Sequence, residues 1–278
     1  MRIGVCIKQV PGGSARMDGE TGLLIRGSAQ GVLNPYDYFA LEAALQAAAS
    51  LAGPEGPGEV TALTMGPPQA EGALREALAL GAGKALLLCD SGFAGADAAI
   101  TARTLAQGWE KLGVPELIFC GQQTTDGDTA QVPFALAARL GIPAVGWVKA
   151  IEYFRAEGFS VLQELSGGTV RVRGGYPALF AIGREAVQPR AASLPRRLEA
   201  RRAPVTRWTL ADLPDPAPHR YGLAASPTRV KRIYAPLGEA KTPPLRVDPG
   251  EAAALILGAL PGREGQPVPP PSGGGGPG

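Results

Sequence analysis

Histidine and cysteine are scarce in this sequence. Its 278 residues include one histidine, His219, and three cysteines, Cys6, Cys89 and Cys120, each inside or at the end of an apolar, strand-like run. A structural zinc site needs four such ligands brought together, and a disulfide framework needs paired cysteines. The sequence therefore predicts no metal centre and no disulfide scaffold, and it favours buried thiols in a reducing compartment. His219 also lacks a serine or cysteine partner for nucleophilic catalysis.

An excess of one charge and a long apolar run are missing as well. The chain has 27 Lys and Arg residues against 25 Asp and Glu residues, a net charge of +2. This near balance gives no general electrostatic reason to bind nucleic acid or a membrane surface. No apolar run approaches the roughly 18 residues that span a bilayer, and "MRIGVCIKQV" reads as a strand and not as a signal peptide. We therefore expect a cytoplasmic protein with no nucleic-acid partner and no membrane insertion.

Short apolar runs alternate with longer amphipathic segments over the first two-thirds of the chain. Strands separated by helix-length segments predict βαβ units, and hence a mainly parallel sheet with helices on both faces. The predicted fold class is α/β and Rossmann-like. The predicted strands cover residues 2–8, 59–65, 84–90 and 116–120, and the predicted helices cover residues 36–52, 68–81, 95–113 and 129–141.

The chain changes character beyond residue 142. Short strand-like pieces at 143–183 complete a predicted α/β domain over residues 1–183. The Arg- and Pro-rich segment 184–204 is predicted to be a partner-recognition loop and helix. Residues 205–262 are predicted to form a C-terminal extension, and the low-complexity residues 263–278 are predicted to be disordered.

Three shorter segments carry predictions of their own. "DGETG" (18–22) predicts a hairpin turn between the first strand and the first helix. "DPGEAAALILGAL" (248–260) predicts one helix in the extension. "RRLEARR" (196–202) is basic but has no interleaved aromatic residues, so we interpret it first as a protein-docking arm, second as a solvated helix face, and last as a nucleic-acid surface.

The loop "GQQTTDGDTAQV" (121–132) joins a predicted strand to a predicted helix at the carboxyl edge of the sheet, where such sheets bind ligands. Amides around Gly127 are expected to open the helix and to suit a phosphate, with Asp128 or Thr129 as the N-cap. Thr129 and Gln131 suit a phosphate or ribose, and Asp126 suits a ribose hydroxyl or a brace for the loop. The alternative is a plain helix cap and turn. Calcium is disfavoured because the downstream bidentate glutamate is missing.

Several co-linear segments resemble the β subunit of electron transfer flavoproteins. They include "CIKQVP", "NPYDYFALEAAL", "FAGADAAITARTLA", "GQQTTDGDTAQV" and "PRAASLPRRLEARR", and the resemblance covers about residues 1–210. It implies the adenine nucleotide alpha-hydrolase-like variant of the Rossmann-like fold and a heterodimer with an α subunit that holds the redox FAD. It also implies an electron carrier without catalytic residues, which accepts electrons from acyl-CoA and other dehydrogenases and passes them to a quinone oxidoreductase.

The same resemblance implies a buried adenine nucleotide in this chain. This nucleotide is AMP in ordinary members and a second FAD in electron-bifurcating members, to which "DGDTAQV" is closer. A stand-alone adenine-nucleotide-binding protein is the other alternative. The cofactor-binding residues carried over are Cys6, Asn34, Pro35, Tyr36, Asp37, Met65, Gly121, Gln122, Gln123, Thr124, Thr125, Asp126, Gly127, Asp128, Thr129, Ala130, Gln131 and Val132.

Partner contacts also follow from the resemblance. Tyr36 would approach the isoalloxazine ring of the flavin in the α subunit. Glu164 would pair with an arginine of that subunit. Leu194, followed by Pro195, would anchor the dehydrogenases, and the extension 205–262 would pack on the α subunit.

Overall fold

A mainly parallel β-sheet organises the fold. The structure is a computed structural model, and it describes residues 1–13, 31–54, 56, 58–230 and 247–259. Within these residues the strands are β1 (Ile3–Cys6), β2 (Gln9–Pro11), β3 (Gly31–Leu33), β4 (Val60–Met65), β5 (Lys84–Leu88), β6 (Leu117–Gly121), β7 (Ala144–Arg155), β8 (Gly158–Leu165), β9 (Gly168–Gly174), β10 (Ala178–Ile182) and β11 (Thr206–Trp208).

Nine of these strands form one sheet in the order β11-β5-β4-β1-β6-β10-β7-β8-β9. The strands from β11 to β7 run parallel, and β8 and β9 continue the sheet in antiparallel pairing. β2 and β3 form a separate antiparallel pair. The predicted α/β class with a mainly parallel sheet is therefore confirmed.

Helices cover both faces of the sheet. The helices α1 (Pro35–Ser50) and α2 (Glu71–Leu80) pack over one face, around Phe119 and Phe180. The helices α3 (Ala98–Leu112) and α4 (Val132–Leu140) pack over the other face, around Trp109. Gly81 and Gly113 follow the last residues of α2 and α3, at the ends that the sequence predicts. The other helices of the described residues are α5 (Leu194–Arg202), α6 (Gly222–Ala225) and α7 (Pro249–Ala259).

The start of α4 differs from the prediction. The helix begins at Val132 instead of residue 129, and Gln131 is its N-cap, without a side-chain cap. Asp128 and Ala130 have φ angles of 47° and 52°, in the left-handed region, so the chain turns here before it becomes helical. The predicted N-cap role of Asp128 or Thr129 is therefore wrong.

Part of the predicted C-terminal extension returns to the sheet. Strand β11 pairs in parallel with β5 at the sheet edge. Leu210, Leu213 and Tyr221 are buried on the face that carries α3. Thr228 donates from its backbone N–H and its hydroxyl to Asp97, at 3.0 and 2.8 Å. Residues 206–228 therefore stabilise the α/β domain.

The chain divides into two units after residue 233. The helix predicted within 248–260 is confirmed as α7, which belongs to the second unit and exposes Leu255, Ile256 and Leu257. The "DGETG" turn and the tail 263–278 lie outside the described residues. None of the described helices is both long and apolar enough to cross a membrane.

Candidate functional site

A buried carboxyl group lies where β1, α1 and the loop after β6 meet. Asp37, in the first turn of α1, is 4% exposed. It accepts a hydrogen bond from the side chain of Asn34 at 2.9 Å and another from the backbone N–H of Lys8 at 2.7 Å. Burial raises the pKa of Asp37 to about 7, and these hydrogen bonds act in the opposite direction. Asp37 therefore links the first helix to the end of the first strand.

Asn34 connects this carboxyl group to the loop. It is the only asparagine in the sequence and is fully buried. Its side-chain nitrogen donates to the carbonyl oxygen of Gln123 at 2.9 Å, and its oxygen accepts from the N–H of Thr125 at 3.4 Å. The predicted residues Asn34, Asp37, Gln123 and Thr125 are thus brought together in one hydrogen-bonded cluster, which fixes the path of the loop backbone.

Gly121 permits the close approach of β6 to α1. A Cβ atom built at Gly121 would lie 2.3 Å from Oδ1 of Asp37 and 2.9 Å from Cβ of Tyr36. Only glycine fits this position without movement of the neighbouring groups. The loop therefore leaves the sheet directly beneath the first turn of α1.

Lys8 is a site residue that the sequence reasoning missed. Its ammonium group donates to both carboxylate oxygens of Asp126, at 2.7 and 2.8 Å. Burial by itself raises the pKa of Asp126, but the hydrogen bond and the charge of Lys8 lower it below its usual value. Of the two roles predicted for Asp126, the structure provides the brace for the loop. Lys8 lies just after β1, at the carboxyl edge of the sheet, and this position was the signal that could have identified it.

The end of the loop presents unpaired backbone amides. Among the described residues, the N–H groups of Val132 and Phe134 have no hydrogen-bond acceptor, and Pro133 between them has no N–H. A helix N-terminus of this kind carries a partial positive charge, and left-handed residues just before it shape a concave backbone. The donor set therefore fits an anion such as a phosphate.

Cys6 and Met65 lie on the face of the sheet that carries α3 and α4. Cys6 is buried beside Cys120, its partner in the strand register, and its sulfur accepts a hydrogen bond from the indole N–H of Trp109 at 3.3 Å. The hydrogen bond with Cys6, together with burial, raises the pKa of the Cys120 thiol well above its usual range. The Cys120 thiol therefore stays protonated, and both cysteines are packed, buried groups.

A polar cleft of about 260 Å³ lies beside the loop and contains two of the predicted partner-facing residues, Tyr36 and Glu164. The guanidinium group of Arg184 lies 5.3 Å from the centre of the Tyr36 ring. Lys149 pairs with Glu164 at 3.2 Å and with Glu185 at 3.3 Å. The cleft is lined by Tyr36, Gln122, Gln123, Trp147, Val148, Lys149, Glu164, Gly183, Arg184 and Glu185.

Leu194 begins α5, and the residue is 70% exposed. The helix is attached to α2: Arg197 pairs with Glu76 at 2.7 Å, and Arg75 donates to the carbonyl oxygen of Ala200 at 2.7 Å. Part of the arginine-rich segment therefore holds the helix on the domain. Pro195 fits the first turn, where it leaves no helical hydrogen bond unmade.

No group of three or more His, Cys, Asp or Glu side chains is arranged to hold a metal ion within the described residues. The described residues instead combine a braced loop, a helix start with free backbone amides, a polar cleft and an exposed leucine, Leu194. These features suit the binding of a nucleotide and of protein partners.

Comparison with known proteins identifies relatives along most of the chain. The family model described as "Electron transfer flavoprotein domain" matches residues 21–213. Protein FixA of Azorhizobium caulinodans is 40% identical over 248 residues, which cover 87% of this chain and 86% of that protein. The caffeyl-CoA reductase-Etf complex subunit CarD of Acetobacterium woodii is 41% identical over 238 residues, covering 85% and 88%. The electron transfer flavoprotein subunit beta of Clostridium acetobutylicum is 37% identical over 276 residues, covering 94% and 98%.

Proposed function

Because this chain belongs to the electron transfer flavoprotein family as a β-type subunit, we propose that it supports the FAD of an α subunit and holds an adenine nucleotide of its own. It acts as an electron carrier subunit without a catalytic acid, base or nucleophile. The observation that carries the proposal is the cluster of Lys8, Asn34 and Asp37, which fixes the loop 121–132 at the start of α4.

The sugar-phosphate of the nucleotide would lie against this loop. The amides of Val132 and Phe134 would receive the phosphate, and the side chains of Thr129 and Gln131 lie just before them in the chain. AMP in this place is a structural ligand, whereas a second FAD would supply a second redox centre. The resemblance of "DGDTAQV" to bifurcating members keeps FAD as the alternative.

The cleft would face the flavin of the α subunit. Tyr36 supplies an aromatic surface that Arg184 holds in place. Glu164 is paired with Lys149 within this chain, so an arginine of the partner would compete with, or add to, an ion pair that already orients the carboxylate. The second unit of the chain, including α7, would pack on the α subunit.

Leu194 and Pro195 would dock acyl-CoA and other dehydrogenases. A single exposed apolar side chain on a firmly held helix gives a small anchor, which suits a transient electron-transfer encounter. Electrons would then pass to a quinone oxidoreductase. A cytoplasmic location accords with the three free cysteines.

The nucleotide content of the heterodimer tests the proposal. The chain is co-expressed with its α subunit, the purified heterodimer is denatured, and the released nucleotides are counted. We expect one FAD from the α subunit together with either one AMP or a second FAD. A heterodimer that releases no adenine nucleotide beyond the α-subunit FAD would refute the site, and a chain that does not associate with an α subunit would favour the stand-alone nucleotide-binding protein.

A substitution at Asn34 makes the test specific. Asn34→Ala removes the side chain that holds Asp37 and the loop backbone, so we expect the nucleotide of this chain to be lost on gel filtration while the α-subunit FAD remains. Gln46→Ala is a matched control, since among the described residues its amide donates only to Glu42, in the middle of α1. Equal nucleotide retention in the two variants would show that the loop cluster does not form the site.

A further inference from the structure

Trp147 has a backbone conformation that a bulky residue rarely adopts. Its φ angle is 43°, in the left-handed region. Phe180 pairs with Val145 and Ile182 pairs with Val148, so β7 contains one more residue than β10 between these pairs. This β-bulge buries both Val145 and Val148 and directs Trp147 away from the core, with 39% of its surface exposed. Strain of this kind persists at functional sites when the surrounding structure enforces it.

The exposed indole is held firmly from one side. The ring of Phe134 stacks on Trp147 with 5.8 Å between ring centroids and 22° between ring planes. Phe134 also fills the space above Gly146, where a Cβ atom would come within 2.4 Å of the Phe134 ring. Because Phe134 belongs to the first turn of α4, the indole is fixed relative to the loop 121–132. One face of the ring is covered by Phe134, and the residue nevertheless remains partly exposed.

Trp147 lines the cleft that contains Tyr36. Two aromatic residues therefore line this cleft, together with the polar residues Gln122, Gln123 and Lys149. Such a lining suits a planar heterocycle that has a polar edge, because the rings contact its faces and the amide and ammonium groups bind its edge. Core packing does not account for Trp147, since the bulge turns it away from the buried side of β7.

We propose that Trp147 contacts the isoalloxazine ring of the flavin carried by the α subunit, an inference that rests on the proposed function. With Tyr36, it forms an aromatic wall that sets the position of the ring against this subunit. The role of Trp147 is to position the flavin ring. The residue itself neither gains nor loses a proton during electron transfer.

The fluorescence of the bound flavin tests this contact in the purified heterodimer. An indole in contact with isoalloxazine quenches flavin emission, so Trp147→Gly is expected to raise the emission severalfold and to shift the visible absorption bands. Glycine accepts the positive φ angle, so this variant removes the ring without adding backbone strain. Trp147→Phe keeps an aromatic ring and is expected to restore the absorption bands.

Trp208→Phe is the matched control, because Trp208 ends β11 at the opposite edge of the sheet and packs near Lys111. We expect its emission and spectrum to equal those of the wild type. If Trp147→Gly retains its flavin and its emission and spectrum are also unchanged, the contact is refuted while the proposed function stands. If the wild-type heterodimer contains no flavin, both the proposed function and the contact are refuted.

Discussion

At the residue scale, Asp37 gives the fold a dependence on pH. Burial raises the pKa of its carboxyl group from 3.8 to about 7, so the folded protein binds more protons than the unfolded chain between these pH values. The contribution of Asp37 to stability is therefore complete below pH 4 and is lost as the pH rises through about 7. From pH 5 to pH 7, the free energy of unfolding should fall by an amount on the order of 2 kcal/mol from this group.

Asp37→Asn should remove this pH dependence, because the amide does not titrate. The substitution should also lower stability at pH 5 by about 1–3 kcal/mol. In the variant, the NH₂ group of the new asparagine would face either the side-chain nitrogen of Asn34 or the N–H of Lys8, the two donors that bind the carboxyl group in the wild type. Urea unfolding at pH 5 and pH 7 measures both effects. Glu59→Gln removes a carboxylate from an exposed ion pair with Lys84 and serves as the control. An unchanged pH slope in Asp37→Asn would contradict the assignment.

At the scale of elements, the segment that leads into α5 is held on α1 by an ion pair. Glu42 is buried, and it accepts hydrogen bonds from the guanidinium group of Arg190 at 2.7 and 3.0 Å. Although burial alone raises the pKa of Glu42, the hydrogen bonds from Arg190 and Gln46 lower it below its usual value. Glu42 is therefore charged at neutral pH and depends on Arg190.

Arg190→Ala should destabilise the protein by about 2–3 kcal/mol, because it leaves a buried carboxylate without its main partner. The loss should shrink as the pH falls below 4.5, the ordinary pKa of a glutamate, because the ion pair loses its contribution as Glu42 becomes protonated. Urea unfolding of the variant at pH 7 and pH 4 checks this. Arg196→Ala, a few residues along the same segment, is the control. A loss of stability that is equal at the two pH values would argue against the ion pair as its cause.

Helix α5 presents Leu194, the proposed anchor, in a fixed orientation, so an effect of this residue on docking can be separated from an effect on folding. Leu194→Ala should slow the reduction of the flavin by an acyl-CoA dehydrogenase roughly tenfold at limiting dehydrogenase concentration, as expected for the loss of one anchor side chain. Stability and heterodimer formation should not change, because Leu194 is mostly exposed. Stopped-flow reduction kinetics measure the rate. Leu112→Ala, at the exposed end of α3, is the control and should react like the wild type. If Leu194→Ala and Leu112→Ala react at the same rate, the docking role of Leu194 is refuted.

The elements differ in how well the sequence predicts them. The buried parallel strands and the helices that end at Gly81 and Gly113 were predictable, because apolar runs and terminal glycines depend on local sequence. The start of α4 was not predictable, because Asp128 and Ala130 adopt positive φ angles that their residue types do not demand. The bulge at Trp147 also depends on pairing with β10, a contact between distant parts of the chain that no local pattern reveals.

The candidate site also has parts that the sequence predicts and parts that it does not. The loop 121–132 was predicted because it follows a strand and leads into a helix at the carboxyl edge of the sheet, whereas Asn34 and Asp37 were predicted from the family resemblance alone. Lys8 lies at the same edge but was missed. Its role depends on contact with Asp126, which is 118 residues away along the chain, and no local pattern shows this contact. Residues 206–228 were assigned to an extension, since a three-residue strand such as β11 has too short a pattern to identify.

At the scale of the whole molecule, the two units differ in whether their apolar side chains are buried. Residues up to 233 form a unit that includes both sheet faces, their helices and the returning segment 206–228. Helix α7, in the second unit, exposes Leu255, Ile256 and Leu257 in succession. An apolar surface on a helix is typical of a segment that binds a partner, which supports the proposed contact with the α subunit.

Removal of residues 234–278 should therefore leave the fold of the first unit intact and weaken the heterodimer. We expect a thermal midpoint close to that of the full chain, and at least a tenfold increase in the Kd for the α subunit, because burying even one leucine contributes about 1.5–3 kcal/mol. Calorimetry and titration with the α subunit measure the two quantities. Removal of residues 263–278 alone should change neither, since this Pro- and Gly-rich sequence contains one large apolar residue, Val268, with which to contact a partner. If the shorter chain binds the α subunit as tightly as the full chain does, the second unit is not part of the interface.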